Sequence, residues 1–315
     1  MKVLLTGATG FVGKALAAGL ASDSEVDLTC AVRRSGLGCP GKVIVTGELD
    51  GRTDWSETLD GGDVVIHSAA RAHIMKDEVA DPLAEYRRVN VDGTLNLARQ
   101  AVKAGVKRFI FVSSIKVNGE QTHPGKPFTE NNEPNPQDAY GVSKREAEDG
   151  LMSLAHETGM EIVVIRPVLV YGPGVKGNFA TLNKLVSKGI PLPLGAVKNR
   201  RSFVALDNLV DLIIMCLDHP AAANQVFLAA DGQDMSTTEL LEEIAEAMCK
   251  SPRLVPVPEG LLMFGATLLG KKAVAQRVLG SLQVDISKAR NLLGWSPPLT
   301  PQEGLQQCFG QGSES

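Results

Sequence analysis

Apolar residues in the first half of the chain fall in short β-branched runs, separated by stretches where they recur every three or four positions. Runs at 2–5, 28–32, 43–45, 64–67, 109–112 and 161–165 predict strands, being too short for helices and rich in valine and isoleucine. Residues 83–104 keep helical spacing and end at Gly105, where a left-handed cap fits, so one long helix is predicted there. A second is predicted over 139–158, stopped by Gly159. Strands and helices in alternation predict a parallel sheet wrapped by helices.

After Arg166 and Pro167 the pattern breaks. Pro173, Gly174, Gly177, Gly189, Pro191, Pro193 and Gly195 predict loops around one short helix. Helices are then predicted near 208–217, 236–250, 260–269 and 286–293. The expected fold class is α/β. A Rossmann-type doubly wound parallel sheet occupies 1–167, and a smaller, loop-rich C-terminal substrate lobe occupies 168–309 and returns segments to the sheet. A frayed tail is expected at 310–315.

Composition narrows the classes. With 43% hydrophobic and 22% charged residues among 315, the chain can bury a core and is not a disordered or collagen-like protein. A net charge of −4 gives no electrostatic reason to expect nucleic acid or an anionic membrane, so neither is expected as a partner. The five cysteines lack CxxC spacing, which predicts free thiols and no metal site. The start of the chain lacks a secretory pattern, and the apolar stretch 261–269 is about half the length of a spanning helix. A cytoplasmic protein is expected.

Three places carry candidate chemistry. Gly7, Gly10 and Gly13 stand at G-x-x-G-x-x-G spacing where the first strand turns into a helix. Glycines there permit a tight turn and close approach to a pyrophosphate, although many such turns use glycine for structure alone. The second strand ends in Arg33 and Arg34 without a carboxylate. Arginine can accept the 2′-phosphate of NADP, so NADP(H) is favoured and NAD(H) stays possible; solubility is the other reading of these arginines. Glu48, past the third strand, suits an adenine amino group or bulk solvent equally.

Tyr140 and Lys144 share one helix face at four-residue spacing. A nearby ammonium favours the phenolate, so Lys144 is expected to lower the tyrosine's pKa toward a useful range. Ser114 closes a strand at the mouth of the sheet where ligands bind, and its hydroxyl can polarise a carbonyl.

Together with TGATGFVG (6–13), GDVVIHSAA (62–70), NVDGTLNL (90–97), FVSSIKVNGE (111–120), RPVLVYGPG (166–174) and VDISKARNLLGWSP (284–297), these motifs resemble the extended short-chain dehydrogenase/reductases. The resemblance is to the nucleotide-sugar epimerase and 4-keto reductase branch and covers nearly the whole chain. It implies a Ser114–Tyr140–Lys144 catalytic set, with Lys144 also on the nicotinamide ribose. It implies a dinucleotide site formed by Gly7, Gly10, Phe11, Val12, Gly13, Arg33, Arg34, Glu48, Leu49, Ala69, Ala70 and Asn90. Asn90 supports this machinery, or is a buried helix asparagine satisfied by backbone. Asn178 and Arg201 are implied contacts for the diphosphate of a UDP-sugar, a task that suits a guanidinium; an ordinary surface arginine is the other reading of Arg201. A homodimer is compatible with the resemblance.

Departures guide the choice of reaction. The family's dehydratases carry an Asp-Glu pair where this chain has Ile115 and Lys116, so dehydration is not expected. Asn118 replaces a tyrosine common in epimerases, Leu169 lies in a stretch where they often carry asparagine, and the late second phosphate-binding arginine has no counterpart. With Arg33, these features favour reduction of a UDP-4-keto-6-deoxy-N-acetylhexosamine at C4, in surface polysaccharide biosynthesis. The alternative is a UDP-sugar 4-epimerase of the UDP-glucose or UDP-N-acetylglucosamine type. A third reading, a non-catalytic NADP-sensing regulator, is disfavoured by the intact Ser–Tyr–Lys set.

Overall fold

The structure is a computed structural model that describes residues 1–36, 38–72 and 81–309; the expected tail at 310–315 lies outside the described residues. Its first part runs β1 (Lys2–Thr6), α1 (Phe11–Ala21), β2 (Asp27–Val32), β3 (Lys42–Val45), α2 (Ser56–Leu59), β4 (Val64–His67), α3 (Pro82–Tyr86), α4 (Thr94–Lys103), β5 (Arg108–Val112), α5 (Ala139–Thr158) and β6 (Glu161–Pro167). The remainder runs β7 (Leu169–Tyr171), α6 (Asn178–Ser187), β8 (Phe203–Ala205), α7 (Leu206–Met215), β9 (Gln225–Ala229), α8 (Thr237–Ala247), α9 (Glu259–Leu268), α10 (Lys272–Leu279), α11 (Ser287–Leu293) and α12 (Pro301–Phe309).

Seven parallel strands lie in the order β3-β2-β1-β4-β5-β6-β9. The chain winds outward from β1 and then resumes at β4 on its other side. Loops leaving β1 and β4 therefore diverge, opening a crevice at their carboxyl ends. Alternate strand residues feed opposite faces. Val3 and Leu5 join Leu16, Leu20, Leu209 and Ile213 on the α1–α7 side, while Leu4 joins Leu97, Ala101, Leu151 and Ala155 on the α4–α5 side. Burial on both faces explains why β4 and β5 read as unbroken apolar runs.

The first six strands fall where the pattern predicts them. A seventh, β9, completes the sheet from the second half, and β7 and β8 pair as a short parallel ribbon in the stretch expected as loops. Tyr171, Phe179, Val186, Phe203, Leu240, Ile244 and Leu305 form a third core around that ribbon. Helix α5 matches its expected span, capped by Asp138, which accepts from Gly141 N at 2.7 Å, and ended by Gly159 at φ 77°. The long helix expected over 83–104 is instead α3, a π-helical turn over Arg87–Gly93, and α4. Close packing accompanies the widening: a Cβ on Gly93 would lie 3.0 Å from Leu49 Cγ. The widened turn also carries Asn90, which is buried.

All five cysteines are free, as expected, yet Cys30 and Cys39 stand with their sulfurs 2.7 Å apart. Burial and Cys39 push the Cys30 thiol well above its ordinary pKa.

The tightest backbone approach lies in the first βα turn. A Cβ on Gly13 would sit 2.0 Å from Gly7 O, where no side chain fits. Gly13→Ala is expected to lose at least about 2–3 kcal/mol in urea unfolding. Gly38→Ala, with nothing within 4 Å, should stay within about 0.5 kcal/mol of the parent.

Candidate active site

The crevice beyond β1, β4 and β5 gathers most of the predicted residues. Gly7, at φ 75°, lets its turn lie directly on the segment after β4: a Cβ there would come within 2.6 Å of Ala69 N. Gly10 N donates to Gly7 O at 2.8 Å, and α1 starts at Phe11 with no side-chain cap and no acidic residue in its first turn. Its free amides and positive dipole end suit a pyrophosphate. Phe11 and Val12 are half-buried, Ala70 is exposed and Leu49 is buried. Arg33, Arg34 and Glu48 are exposed, and none is in an ion pair among the described residues. This set fits a dinucleotide, with the arginines placed at the end of β2.

Lys144 is buried, and its Nζ donates to Val112 O at 2.8 Å and lies 4.3 Å from the centre of the Phe111 ring. Helix α5 and the end of β5 are thus joined at the lysine. Burial lowers its pKa to about 7, partly opposed by the Glu148 carboxylate one turn on. Glu148 is itself held by Arg166, which donates from Nε at 3.1 and 3.2 Å and from Nη2 at 2.5 Å, and it accepts from Ser113 Oγ.

Tyr140 is half-buried, one turn before Lys144, with its ring edge-on to Tyr86 at 5.8 Å. Burial, the Asp138 carboxylate and Tyr86 push its pKa above the ordinary value of 10. The expectation that Lys144 lowers it is therefore corrected: desolvation comes first, and the Asp138 carboxylate and Tyr86 add to it. The tyrosine is held as the neutral phenol. Ser114 is half-buried, accepts from Lys116 N at 3.3 Å, and donates to no protein acceptor among the described residues. Its proton is free for a substrate oxygen.

Asn90 has every amide group engaged. Its Oδ1 accepts from Arg71 N at 2.8 Å, and its Nδ2 donates to Arg71 O and Ser143 Oγ, each at 3.0 Å. Ser143 Oγ in turn donates to Tyr140 O at 2.8 Å. Asn90 therefore clamps the segment after β4 to the helix that bears the tyrosine.

One participant escaped the sequence reading. His67 ends β4, fully buried, with Nδ1 at 2.7 Å from Thr6 Oγ1 and Nε2 at 3.0 Å from Thr94 Oγ1. Thr94 gives its only hydroxyl proton to Asn90 O at 2.7 Å, so Nε2 must be the protonated nitrogen and Thr6 donates to Nδ1. Burial first, and the Lys144 charge second, lower the imidazole pKa to about 3, which keeps it neutral. The available signal was the histidine closing the GDVVIH run.

In the second half of the chain, Arg201 is half-buried, with Nη1 donating to Arg277 O and Gly280 O at 2.9 Å each. Its Nε and Nη2 make no protein hydrogen bond among the described residues, so an oriented fork remains for an anion. Two backbone carbonyls tie it to the second half of the chain. Arg277, an exposed residue of α10, lies beside it through that backbone carbonyl; no motif spacing marked it. Asn178 begins α6, and its side chain lies outside what is described. Asn118 is buried, accepting from Arg166 Nη1 and donating to Thr129 O, each at 2.9 Å. Both ends of its amide serve the interior, so it cannot separate reduction from epimerisation by touching substrate.

Residues 3–230 match the family described as the NAD dependent epimerase/dehydratase family. The chain is 51% identical over 306 residues to a UDP-glucose 4-epimerase of Vibrio cholerae, covering 97% of this chain and 93% of that one. Among solved structures, the UDP-N-acetylglucosamine 4-epimerase of Bacillus cereus aligns with a TM-score of 0.80 at 20% identity. The UDP-glucuronic acid 4-epimerase of Bacillus cereus, in complex with NAD, aligns with a TM-score of 0.79 at 24% identity. Each alignment covers 98% of both chains and shows the same fold.

The buried lysine has a measurable signature. Its folded pKa of about 7 lies below its ordinary 10.5. The unfolded chain therefore binds a proton between those values that the folded chain does not, and stability rises with pH across that window. In cofactor-free protein, the stability of wild type relative to Lys144→Met should climb from pH 7 to 10.5 by at most about 1.4 kcal/mol per pH unit. Denaturant titrations at several pH values check it; a difference independent of pH would contradict the buried, depressed lysine.

Proposed function

The chain belongs to the NAD dependent epimerase/dehydratase family, and from that premise we propose that it is a UDP-sugar 4-epimerase acting on a UDP-hexose or UDP-N-acetylhexosamine. The observation that carries this reading is the 51% identity, over 97% of the chain, to a UDP-glucose 4-epimerase. It reverses the order expected from the sequence, where reduction of a 4-keto sugar led. The case for reduction has also lost Asn118, whose side chain is consumed in the interior. The regulator reading gives way to an enzyme, since family and relative agree with an intact Ser–Tyr–Lys set.

In the proposed reaction, Arg201, with Arg277 beside it, grips the diphosphate, and the second-half lobe over 168–309 holds the nucleotide. Ser114 donates to the oxygen on C4 and fixes it against Tyr140. Bound NAD supplies the hydride acceptor and a positive charge that favours the phenolate. Tyr140 removes the proton from the C4 hydroxyl and later returns one to the same oxygen after the keto sugar has turned over. Lys144, held to Val112 O, presents its ammonium to the nicotinamide ribose and to the phenolate as it forms. Asn90 and the neutral His67 keep the two halves of this arrangement in register.

NAD is the proposed resident cofactor, because hydride leaves and returns within one catalytic cycle. Arg33 and Arg34 extend acceptance to NADP through a charge-assisted bond to the 2′-phosphate. Titration of both cofactors should show Arg33→Asp losing about tenfold or more in NADP affinity with little change for NAD. Equal responses to the two would remove the arginine argument.

Incubation of the purified enzyme with UDP-glucose or UDP-N-acetylglucosamine, without reductant, is expected to yield the C4 epimer. Tyr140→Phe should keep the fold and lose about 10²–10⁴ in rate. Stoichiometric NADPH consumption with a UDP-4-keto-6-deoxy-N-acetylhexosamine, and no epimer in the first assay, would restore reduction.

A further inference from the structure

Helix α9 buries none of its residues. Leu261, Phe264 and Leu268 line one stripe at three- and four-residue spacing, and Leu269 and Val274 carry it through the turn into α10. All five are between 57% and 75% exposed. An apolar surface of this kind marks contact with another molecule. Neighbouring charges say which kind. Between residues 260 and 284 there is no acid, and the charged groups are Lys271, Lys272 and Arg277, all exposed. None of the three is in an ion pair among the described residues. Glu259, at the root of α9, is turned to accept from Lys198 N at 2.8 Å.

We propose that the α9–α10 hairpin seats on an anionic lipid bilayer, making the protein a peripheral membrane protein. Leu261, Phe264, Leu268 and Leu269 enter the boundary between headgroups and acyl chains, and Lys271 and Lys272 meet lipid phosphates. Apolar burial and attraction to anionic headgroups then act together, as they do for amphipathic helices lying in a bilayer interface. A second copy is the poorer occupant, because a two-fold contact would oppose this positive hairpin to itself. Among the described residues no helix is long and apolar enough to cross a membrane, so the contact is one of surface seating. The inference holds whichever sugar the site turns over.

Flotation of the full-length protein with phosphatidylcholine vesicles containing phosphatidylglycerol tests it, with pure phosphatidylcholine vesicles as the comparison. Wild type is expected to float with the anionic vesicles and to be released by high salt. Leu268→Ser with Leu269→Ser, and separately Lys271→Glu with Lys272→Glu, should each cut the bound fraction by about tenfold or more. Both variants should keep the parent unfolding temperature, since the changed side chains are exposed. Failure of wild type to bind, or binding by either variant equal to that of wild type, overturns the proposal. So does light scattering that shows a wild-type dimer reduced to a monomer by the leucine changes, which would assign the patch to a second copy.

Discussion

The site depends on how closely the end of β1 can lie against the segment after β4. Gly7 lets its backbone rest on Ala69, and Gly13 lets α1 rest on Gly7; any Cβ at either place would overlap backbone. From that junction a chain of hydrogen bonds crosses the molecule. Ala69 N donates to Thr6 Oγ1, Thr6 to His67, His67 to Thr94 and Thr94 to Asn90 O. Asn90 Nδ2 continues it to Ser143, which is anchored to Tyr140 O. The turn that suits a pyrophosphate and the helix that carries Tyr140 are registered through side chains with one satisfied arrangement.

Electrostatics decide which forms those groups take. An imidazolium at position 67 would be a second cation buried near Lys144, and it would need a proton acceptor at Nδ1 where Thr6 donates. The neutral ring removes both conflicts. Lys144 keeps one source of opposite charge, Glu148, whose carboxylate is shared with Arg166 and so is only partly available to it. The lysine is therefore poised near neutrality rather than fully charged. Tyr140, beside Asp138, stays a phenol until positive charge arrives. In the proposed reaction, such an arrangement would make the tyrosine's acid–base activity depend on cofactor binding.

The first six strands and the glycine turn were legible because strands buried on both faces leave unbroken β-branched runs, and glycines are forced where backbone meets backbone. Helix α5 was legible to the residue through its cap at Gly159. The π-helical turn at Arg87–Gly93 was not, because the apolar spacing on either side of the widening stays helical. Strand β9 lies beyond a long excursion and reads as one more apolar run. The proposed catalytic set rests on spacing and resemblance. Its ionisation could not be read there, since desolvation of Tyr140 depends on what packs around it. Asn118 misled for a related reason: a residue type gives no warning that its amide is turned inward to Arg166.

Net charge is a coarse guide. The chain as a whole carries −4, which gave no reason to expect nucleic acid or an anionic membrane, yet residues 260–284 hold only positive charge. A sum over 315 residues erases such an asymmetry, while electrostatic attraction is felt over about a Debye length. Two regions of the chain thus obey different constraints. Around β1, β4 and α5, close backbone contact and satisfied buried polar groups tolerate little change. Around α9 and α10 the apolar stripe and the lysines face outward, so their composition is free to follow whatever surface they meet. Arg201 stands between these regimes, its guanidinium held by carbonyls of α10 and of the residue after it while its strand-like backbone bridges Met235 and Leu282. Through it, a hairpin free to vary remains mechanically joined to the end of the site proposed to hold the diphosphate.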